Sequence, residues 1–429
     1  MPTPKKPVFR KYDPHQTLIL PPDLNDWLPE GHVARVVADV VDEHLDLEPL
    51  LATYQNEEGG SPAFDPRLQL KVLLYGYSVG VTSSRRLEKA TWDDVATRWL
   101  AADQHPHFTT LNRFRLRNLK LLDDLFLQVL KLCQEAGLVR LGRVALDGTK
   151  IKANASKHKS RTYEKIQANE DDLHHQVRRI LREAERVDRE EDELYGKDKN
   201  PLLHALPPDW KERLKKLRKA REELEDRERK KGKKEPDPKT QYNFTDPDSR
   251  IMQESGNKGA YLQGYNAQAA VDAESQVIVS TLVAQTNPDN QQLAPMMWEM
   301  ERTLGTLPKK VLADAGYFSE AQVRQLQARG IDVYCPPEPW RIAETAPCRR
   351  GRPPLDERFT AMMRRKVRSV RGRRDYRWRK ISVEPVFGQI KQGRGLRQFL
   401  LRGFEKVSAE WKLWGLTHNL RKLHVAWTA

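Results

Sequence analysis

The chain has 429 residues, of which 38% are hydrophobic and 31% are charged. Its length predicts two or three domains, at roughly 100–200 residues per domain. The hydrophobic fraction is sufficient for a packed core, and the high charged fraction indicates an extensive solvated surface or charged partners. Because the sequence has no stretch of about 18 apolar residues, we expect no membrane-spanning helix.

The positive charge is concentrated at one end of the chain, which has a formal net charge of +15. Between Trp340 and Ala429 there are 23 Lys and Arg residues and 7 Asp and Glu residues. The rest of the chain has 52 basic and 53 acidic residues, so the whole excess lies in this segment. Basic charge gathered on one segment is typical of phosphate-binding proteins, and solubility alone does not require that distribution.

The cysteine pattern argues against a disulfide-stabilised fold and against a zinc-stabilised fold. Cys133, Cys335 and Cys348 are odd in number and widely spaced, so they indicate neither a disulfide framework nor a zinc site. The N-terminal residues lack the apolar run of a signal peptide. We therefore expect a soluble protein of a reducing, intracellular compartment.

The N-terminal third of the chain has a helical pattern. Residues 1–30 are Pro-rich and predict an extended arm, whereas apolar residues at three- and four-residue spacing predict helices through 32–136. Gly137 is a suitable helix terminator. We therefore predict an all-α domain over 1–138. Within it, the segment at 109–117 is either a DNA-recognition helix or a packed core helix, and the sequence leaves both open.

From residue 139 onward the pattern changes to alternating strands and helices. We predict strands within 143–153, 309–313 and 332–337, a two-stranded hairpin within 264–287, and helices at 293–304 and 320–330. This alternation is typical of a three-layer α/β core, which we place in 139–429. Asp272 is expected in the hairpin turn, and Asp289 is expected to cap the helix at 293–304.

A charged insertion at 158–240 interrupts this core. Its centre is dominated by acidic and basic residues with a thin apolar repeat that includes Ile166, Leu173, Val177, Leu181 and Val187. A second charged run follows two prolines at 207–208, so we predict an antiparallel helical hairpin. The pattern leaves open whether the hairpin is a solvated spacer or an arm for dimerisation or DNA contact.

The C-terminal part contains an Arg-rich segment at 341–380 that has few apolar residues. Its first part predicts a flexible loop, and its second part can be helical. From Glu405 the pattern is helical again. There, Trp411 and Trp414 are expected to face the core rather than to stack on bases.

Two Asp residues follow short apolar runs that are typical of buried strands. Asp147 follows the run at 144–146 and precedes a glycine, and Asp314 follows the run at 311–313. A carboxylate at the end of a buried strand can point into the crevice at the edge of a sheet. Either acid alone is weak evidence of a site, because Asp-Gly is also a common turn.

A third acid, Glu384, lies near a predicted helix start. Ser382 is a candidate N-cap, and Pro385 is tolerated in a first helical turn. Lys391 then lies two turns further along the face that carries Glu384. Three carboxylates of this kind suit Mg²⁺ or Mn²⁺, and two such ions can cleave a phosphodiester without a nucleophilic side chain.

Three segments resemble the catalytic blocks of bacterial insertion-sequence DDE transposases: LDGTKIKANAS, VLADAGYFS and RKISVEPVFGQIKQGRGLRQFLLRG. The last is similar to the Tyr-Arg-Glu-Lys signature of that family, in which Lys follows Glu by seven positions, as Lys391 follows Glu384. The signature's Arg falls at Lys380 and its Tyr at Arg377. Arg379 lies one position before Lys380, and Tyr376 lies one position before Arg377. The N-terminal helical segment resembles the domain that precedes the core in this branch.

The resemblance implies a ribonuclease H-like mixed-sheet catalytic core with an all-α N-terminal domain for DNA-end binding and assembly. Asp147, Asp314 and Glu384 would bind two Mg²⁺ or Mn²⁺ ions and cut and join DNA at terminal inverted repeats. Because two transposon ends must be joined, a homodimer is expected, in the bacterial cytoplasm with the nucleoid. The residues expected to contact DNA phosphates are Arg379, Lys380, Lys391, Arg394 and Arg397.

Two alternatives remain open from the sequence. A DDE-type metal-dependent nuclease would use the same acids to cut DNA without joining it. A domesticated, catalytically inactive DNA-binding protein would keep the basic surface alone, although the presence of all three acids disfavours it. A purely structural helical protein would leave the Asp-terminated apolar runs and the basic C-terminal segment unexplained.

Overall fold

The computed structural model describes residues 23–54, 63–194, 209–254, 259–340 and 358–428. Most of the predicted N-terminal arm, the predicted loop at 341–357 and Cys348 lie outside these residues. The described residues form two compact units. One contains the chain up to Gly76 with Val81–Arg115, and the other contains Tyr77–Gly80 with Leu116–Trp427. No helix in the described ranges is long and apolar enough to span a membrane.

The first unit is helical, as the apolar spacing predicts. Helices α1–α7 are Leu24–Trp27, Val33–Asp39, Glu48–Leu51, Pro66–Val79, Ser84–Asp93, Val95–Leu100 and Phe108–Arg117, with a π-helical turn at Val40–His44. Arg35 joins several of them, because its guanidinium donates to Asn25 at 2.8 Å and lies over the ring of Trp99. The final turns of α4 and α7 belong to the second unit. The domain boundary at residue 138 stays a prediction.

The second unit is built on a mixed sheet. Strands β1–β8 are Val144–Lys152, Ser160–Thr162, Gln241–Asn243, Arg250–Gln253, Tyr261–Asp272, Ile278–Ala284, Lys310–Leu312 and Asp332–Tyr334. The central strand β1 pairs antiparallel with β5 and parallel with β7, and β7 pairs parallel with β8. Strands β4 and β6 pair antiparallel with successive parts of β5. This sheet and its helices confirm the predicted α/β class.

The helices of the second unit cover this sheet and form the insertion. Helices α8–α15 are Leu119–Glu135, Tyr163–Leu194, Trp210–Arg229, Leu293–Leu304, Glu320–Ala328, Arg358–Arg368, Val370–Gly388 and Phe404–Thr428. Gly415 allows α15 to approach β6 closely, since a Cβ there would lie 3.1 Å from Thr281. Asn419 also pairs with both backbone groups of Ile278. Trp411 and Trp414 are buried, as predicted.

A buried carboxylate fixes α14 against the sheet. Asp375 accepts hydrogen bonds from Lys310 Nζ at 2.6 Å, Arg143 Nε at 3.2 Å and the Tyr334 hydroxyl at 3.3 Å. These three partners belong to β7, the residue before β1, and β8. Because one side chain joins three neighbouring strands, the position of α14 along the sheet is well defined.

The insertion is an antiparallel helical hairpin, which confirms the prediction from its charged runs. Tyr163 at the start of α9 donates to Glu225 late in α10, whereas Arg218, earlier in α10, donates to Glu170, later in α9. Leu214 of α10 packs with two apolar residues of α9. At the base, β2 pairs antiparallel with β3. The connection at 195–208 and the side chains of Leu181 and Val187 lie outside the described residues.

Candidate active site

The sequence predicted that Asp147 lies at the end of a strand, but the residue lies inside β1. The strand continues to Lys152 because β5 pairs with it along its whole length. The parallel neighbour β7, however, pairs only with Val144 and Ala145. The described part of the sheet therefore has no strand beside Asp147 on that side. The carboxylate is 21% exposed there and accepts the N–H of Gly148 at 2.8 Å.

Asp314 lies just past the end of β7, where the sequence predicted it. Its side chain caps a short 3-10 turn at Ala315–Tyr317 by accepting the N–H of Gly316 at 2.9 Å. Burial raises the pKa of Asp314 above its ordinary value, and Arg379 opposes that shift. The parallel pairing of β7 with β1 brings this turn to the same region of the sheet as Asp147.

Glu384 is not at the start of a helix, and the N-cap predicted for Ser382 is wrong. Helix α14 begins at Val370, fourteen residues earlier, so Glu384 lies in its last two turns. Ser382 donates its hydroxyl to the carbonyl of Trp378 at 2.6 Å, as a residue inside a helix can. The local pattern was misleading because Pro385 lies inside the helix rather than in its first turn.

The sheet compensates for the proline inside α14. Pro385 has no N–H, so the carbonyl of Ile381, four residues earlier, lacks its helical donor. The side-chain amide of Gln276 donates to that carbonyl at 3.2 Å. Gln276 lies in the turn between β5 and β6 with a positive φ of 65°. This contact lets the helix continue through the position that carries Glu384.

Arg379 brings the acids of the three segments into one site. Its guanidinium lies 3.3 Å from Asp147 and 3.1 Å from Glu384, and its side chain is only 16% exposed. Burial raises the pKa of Asp147 to about 6, Arg379 opposes the rise, and Asp314 and Glu384 add to it. The three carboxylates are therefore close enough to repel each other, with one guanidinium offsetting their charge.

Two known protein families match parts of this chain. Residues 22–117 match a family described as a transposase domain, and residues 238–420 match a family described as a transposase DDE domain. No curated protein and no solved structure matches the chain. The two matches together support an insertion-sequence DDE transposase. This family has a ribonuclease H-like core and a helical N-terminal domain, so the predicted fold class is confirmed.

The DDE match includes two of the three candidate acids of the transposase. Asp314 and Glu384 lie within it, whereas Asp147 and most of the helical hairpin precede it. The assignment of Asp147 therefore depends on the structure, where it shares the guanidinium of Arg379 with Glu384. The roles of all three acids in the transposase stay a prediction.

In the structure, the Tyr and Arg that lie at the acids are not at the positions that counting back from Glu384 indicates. Counting placed them at Arg377 and Lys380, and both side chains are exposed. Tyr376 is buried, and Arg379 contacts the carboxylates. This pair keeps the spacing of the signature, three positions from Tyr to Arg, and lies one residue further from the Glu. That retained spacing was the signal available in the sequence.

Asp289 is a fourth acid of this region and not the helix cap that the sequence predicted. Helix α11 begins later, with Gln292 as an N-cap that makes no side-chain capping bond. Asp289 instead lies 3.2 Å from Lys150 Nζ and accepts from the Asn266 amide at 2.6 Å. Lys150 and Asn266 are cross-strand partners in β1 and β5. After burial, the charge of Asp289 contributes to the raised pKa of Asp314.

The glycine after Asp147 makes room for this network. A Cβ on Gly148 would lie 2.2 Å from the side-chain nitrogen of Gln268, so any other residue here would displace the Gln268 amide. Across Gly148, the Gln268 amide donates to Asp289 at 2.7 Å, and its oxygen accepts from the Tyr317 hydroxyl. The Asp-Gly motif therefore serves side-chain packing beside the acids, rather than the turn that such a pair often forms.

Among the basic residues predicted to contact DNA, Arg379 contacts two of the acids directly, and Lys391 lies beside them, in contact with β1. Its ammonium donates to Thr149 Oγ1 at 2.9 Å, two positions along β1 from Asp147. Lys380 and Arg397 are exposed and can reach a ligand. Their geometry is compatible with phosphate contact, which stays a prediction for all three.

Arg394 does not fit the predicted role in DNA contact. It is only 7% exposed, donates to Thr417 Oγ1 at 3.0 Å and lies over the ring of Trp414. Burial lowers the pKa of Arg394 to about 9. A phosphate would have to displace these contacts, so we leave Arg394 out of the proposed DNA-contacting set.

The donor set of the site suits a hard divalent cation. Three carboxylates supply only oxygen ligands, as Mg²⁺ and Mn²⁺ prefer. Within the described part of the chain, no three His, Cys, Asp or Glu side chains have the geometry of a metal site. Arg379 lies between Asp147 and Glu384 instead. The carboxylates therefore have the chemistry of metal ligands and a local need for positive charge.

Proposed function

We propose that this transposase cleaves DNA strands at transposon ends and transfers them to target DNA, with Asp147, Asp314 and Glu384 as ligands of two Mg²⁺ or Mn²⁺ ions. The observation that carries the proposal is the convergence of acids from β1, from the turn after β7 and from α14 on Arg379. Enzymes of this family typically use a divalent metal. A buried cluster of like charges has a structural cost that is typical of functional sites.

The reaction proceeds by two displacements at phosphorus. In the first, a bond forms from the phosphorus to water and the bond to the 3′ oxygen breaks, which leaves a 3′ hydroxyl and a 5′ phosphate. In the second, the oxygen of this hydroxyl bonds to a target phosphorus, the bond from that phosphorus to the target 3′ oxygen breaks, and the proton passes to the leaving oxygen, so the number of phosphodiester bonds is unchanged. Two bound ions would activate the attacking oxygen and stabilise the leaving one. Asp147, Asp314 and Glu384 would hold these ions, and Arg379 would release the carboxylates to them.

Basic residues beside the acids position the DNA. Lys391, Lys380 and Arg397 contact phosphates near the cut, which fixes the register of the duplex and makes binding dependent on salt. The helical N-terminal domain recognises the transposon ends. Because two ends must be joined, the active species is a homodimer, and its DNA substrate places it with the nucleoid.

The test is strand cleavage with purified protein, Mg²⁺ and a labelled duplex that carries the repeats flanking the gene. The variants are Glu384→Gln and, as a matched control, Glu405→Gln, which changes an exposed glutamate on α15. We expect nicking at the repeat boundary and strand joining by the wild type and the control, and neither reaction by Glu384→Gln.

Two other outcomes would contradict this proposal in different ways. Cleavage without joining by the wild type would assign the protein as a DDE-type nuclease. Binding without cleavage, equal in all three proteins, would make the acids a structural remnant in an inactive DNA-binding protein.

A further inference from the structure

A groove lies where the helical hairpin joins the catalytic core. It has a volume of about 670 Å³, and no Asp or Glu of the described residues lines it. We call it the basic groove and define it by the following lining residues: Lys152, Lys157, His158, Lys159, Tyr261 and Arg402. The side chain of Tyr261 is 55% exposed on this surface. Such a lining is unusual in a chain with nearly as many acidic as basic residues.

The cations of the basic groove are not neutralised by neighbours. None of the ion pairs found among the described residues involves its three lysines or Arg402. The nearby acids Asp246 and Asp248 accept from the backbone N–H groups of Gly403 and Phe404, and no ion pair found among the described residues joins either acid to these cations. The hairpin above differs, because its Arg218 and Arg221 both pair with Glu170. Positive charge in the groove therefore remains available to a ligand.

The walls of the groove are held in place. Asn154 donates to the carbonyl of Leu400 at 2.8 Å, and Arg402 donates in return to the carbonyl of Asn154 at 2.8 Å. Lys152 and Gln398 form a β-bridge between the same two segments. A cationic surface that is ordered before binding loses less conformational entropy when a ligand binds.

The basic groove continues from the candidate active site along β1. Lys391 contacts Thr149 beside Asp147, and the segment that follows Lys391 then runs next to Lys152. From Asp147 to Lys152 the strand advances by five residues, or roughly 17 Å at about 3.3 Å per residue. Along a duplex axis parallel to β1, where a DNA strand advances by roughly 3.4 Å per phosphate, this distance corresponds to about five base pairs.

We propose that the basic groove binds the phosphate backbone of the transposon-end duplex about five base pairs from the scissile phosphate. The inference builds on the proposed function and gives the helical hairpin a role at the DNA rather than as a spacer. A second cavity of about 660 Å³ extends the surface onto the hairpin, with Arg161, Arg213 and Lys216 in its lining. Duplex DNA fits because its phosphates extend along a line, and cations occur both beside Thr149, at Lys391, and further along β1, at Lys152.

The test is the salt dependence of DNA binding, measured without cleavage in the Glu384→Gln background. The variant combines Lys152→Gln, Lys157→Gln and Lys159→Gln, which are all exposed. The matched control changes three exposed lysines elsewhere in the same unit, namely Lys120, Lys131 and Lys309. We expect the slope of log K against log salt to fall by about three for the groove variant and to remain unchanged for the control.

The position of the contact is tested with neutral methylphosphonates in the duplex. One placed about five base pairs from the repeat boundary should weaken binding of the protein with an intact groove and have no effect on the groove variant. An unchanged salt slope would overturn the proposal and leave the groove to an acidic protein partner. A reduced slope without this positional effect would overturn the placement. Because binding is measured without cleavage, failure of the proposed function would not alter either readout.

Discussion

Arg379 and Asp147 form an ion pair of 3.3 Å between α14 and β1. The same guanidinium lies 3.1 Å from Glu384, five residues further along the helix. One cation therefore occupies the space between two proposed metal ligands and offsets their repulsion. A divalent ion and this guanidinium would serve the same electrostatic need, which makes them alternatives at this position.

Replacing Arg379 should show whether its guanidinium and a divalent ion are alternative counter-charges for these carboxylates. In Arg379→Gln the carboxylates lose their counter-charge, so we expect the free energy of unfolding without divalent ions to fall by about 1–2 kcal/mol, since the groups are partly exposed. Added Mg²⁺ should then raise the melting temperature more in the variant than in the wild type. Arg377→Gln, an exposed neighbour, should change stability by no more than about 0.5 kcal/mol. An equal response to Mg²⁺ in all proteins would contradict the competition.

The pKa of Asp147 leads to a prediction for the pH dependence of stability. Burial raises this pKa to about 6 from the model-compound value of 3.8, so the folded state binds a proton that the unfolded state releases. Without divalent ions, the contribution of Asp147 to the free energy of unfolding therefore increases as the pH falls from about 6 to about 4. Its slope cannot exceed about 1.4 kcal/mol per pH unit.

Urea unfolding in steps from pH 7 to pH 4 measures this contribution. Asp147→Asn should lose that part of the pH dependence and be more stable than the wild type at pH 7. Asp124→Asn, an exposed change on α8, should keep the profile of the wild type. A wild-type profile that is retained in Asp147→Asn would show that other groups cause the dependence.

Asp289 should matter for catalysis through its charge and for stability through its hydrogen bonds. Asp289→Asn keeps an acceptor for the amides of Asn266 and Gln268 but removes the counter-charge of Lys150. We expect a rate of strand cleavage about tenfold to a hundredfold lower, as for other partners that orient metal-site residues, with little change in stability. In Asp289→Ala the free energy of unfolding should also fall by about 1–3 kcal/mol, because the buried amide donors lose their acceptor.

Cleavage rates and thermal melting of Asp289→Asn and Asp289→Ala test whether the charge of Asp289 affects catalysis and its hydrogen bonds affect stability. Lys150→Met provides the second arm of a double-mutant cycle, since its effect on the rate should be much smaller in the Asp289→Asn background. Additive effects of the two substitutions would mean that the ion pair has no part in positioning the site.

The sequence predicted five of the eight strands in the described residues, because each of the five contains apolar residues buried in the sheet, but it did not predict β2, β3 or β4. It did not predict where β1 ends, since that depends on β5, which pairs with it as far as Lys152. Asp147 consequently lies inside a strand, and the crevice beside it exists because β7 is short. The length of a neighbouring strand is a tertiary property that a local pattern does not contain.

The predicted helix caps were also wrong. Ser382 has the local spacing of a cap but lies inside α14, where its hydroxyl donates to the carbonyl of Trp378 four residues earlier. Asp289 has that spacing too, but its carboxylate accepts from the side chain of Gln268 on β5. Counting back from Glu384 gave Arg377 and Lys380 for the signature Tyr and Arg, whereas the residues that lie at the acids are Tyr376 and Arg379. The network around Asp289 could be inferred only after the register of β1 against β5 had placed Lys150 opposite Asn266.

The proline inside α14 offers a test of how Glu384 is held. If Gln276 replaces the helical donor that Pro385 removes, Gln276→Ala should destabilise the wild type by about 1 kcal/mol through the contact with Ile381. In Pro385→Ala the backbone N–H is restored, so the same substitution should cost less. Gln276 also accepts from Lys422, but that loss occurs in both backgrounds and cancels in the coupling energy.

Urea unfolding of the four proteins of this cycle gives the coupling energy directly. A value of about 0.5–1 kcal/mol would establish that the turn between β5 and β6 supports α14 at the carbonyl that the proline leaves free. Metal-dependent strand cleavage should fall in Gln276→Ala and recover in the double variant, because the helix that carries Glu384 has a donor again. A coupling energy of zero would mean that α14 tolerates the unpaired carbonyl, and that the buried contacts of Asp375 alone position the glutamate.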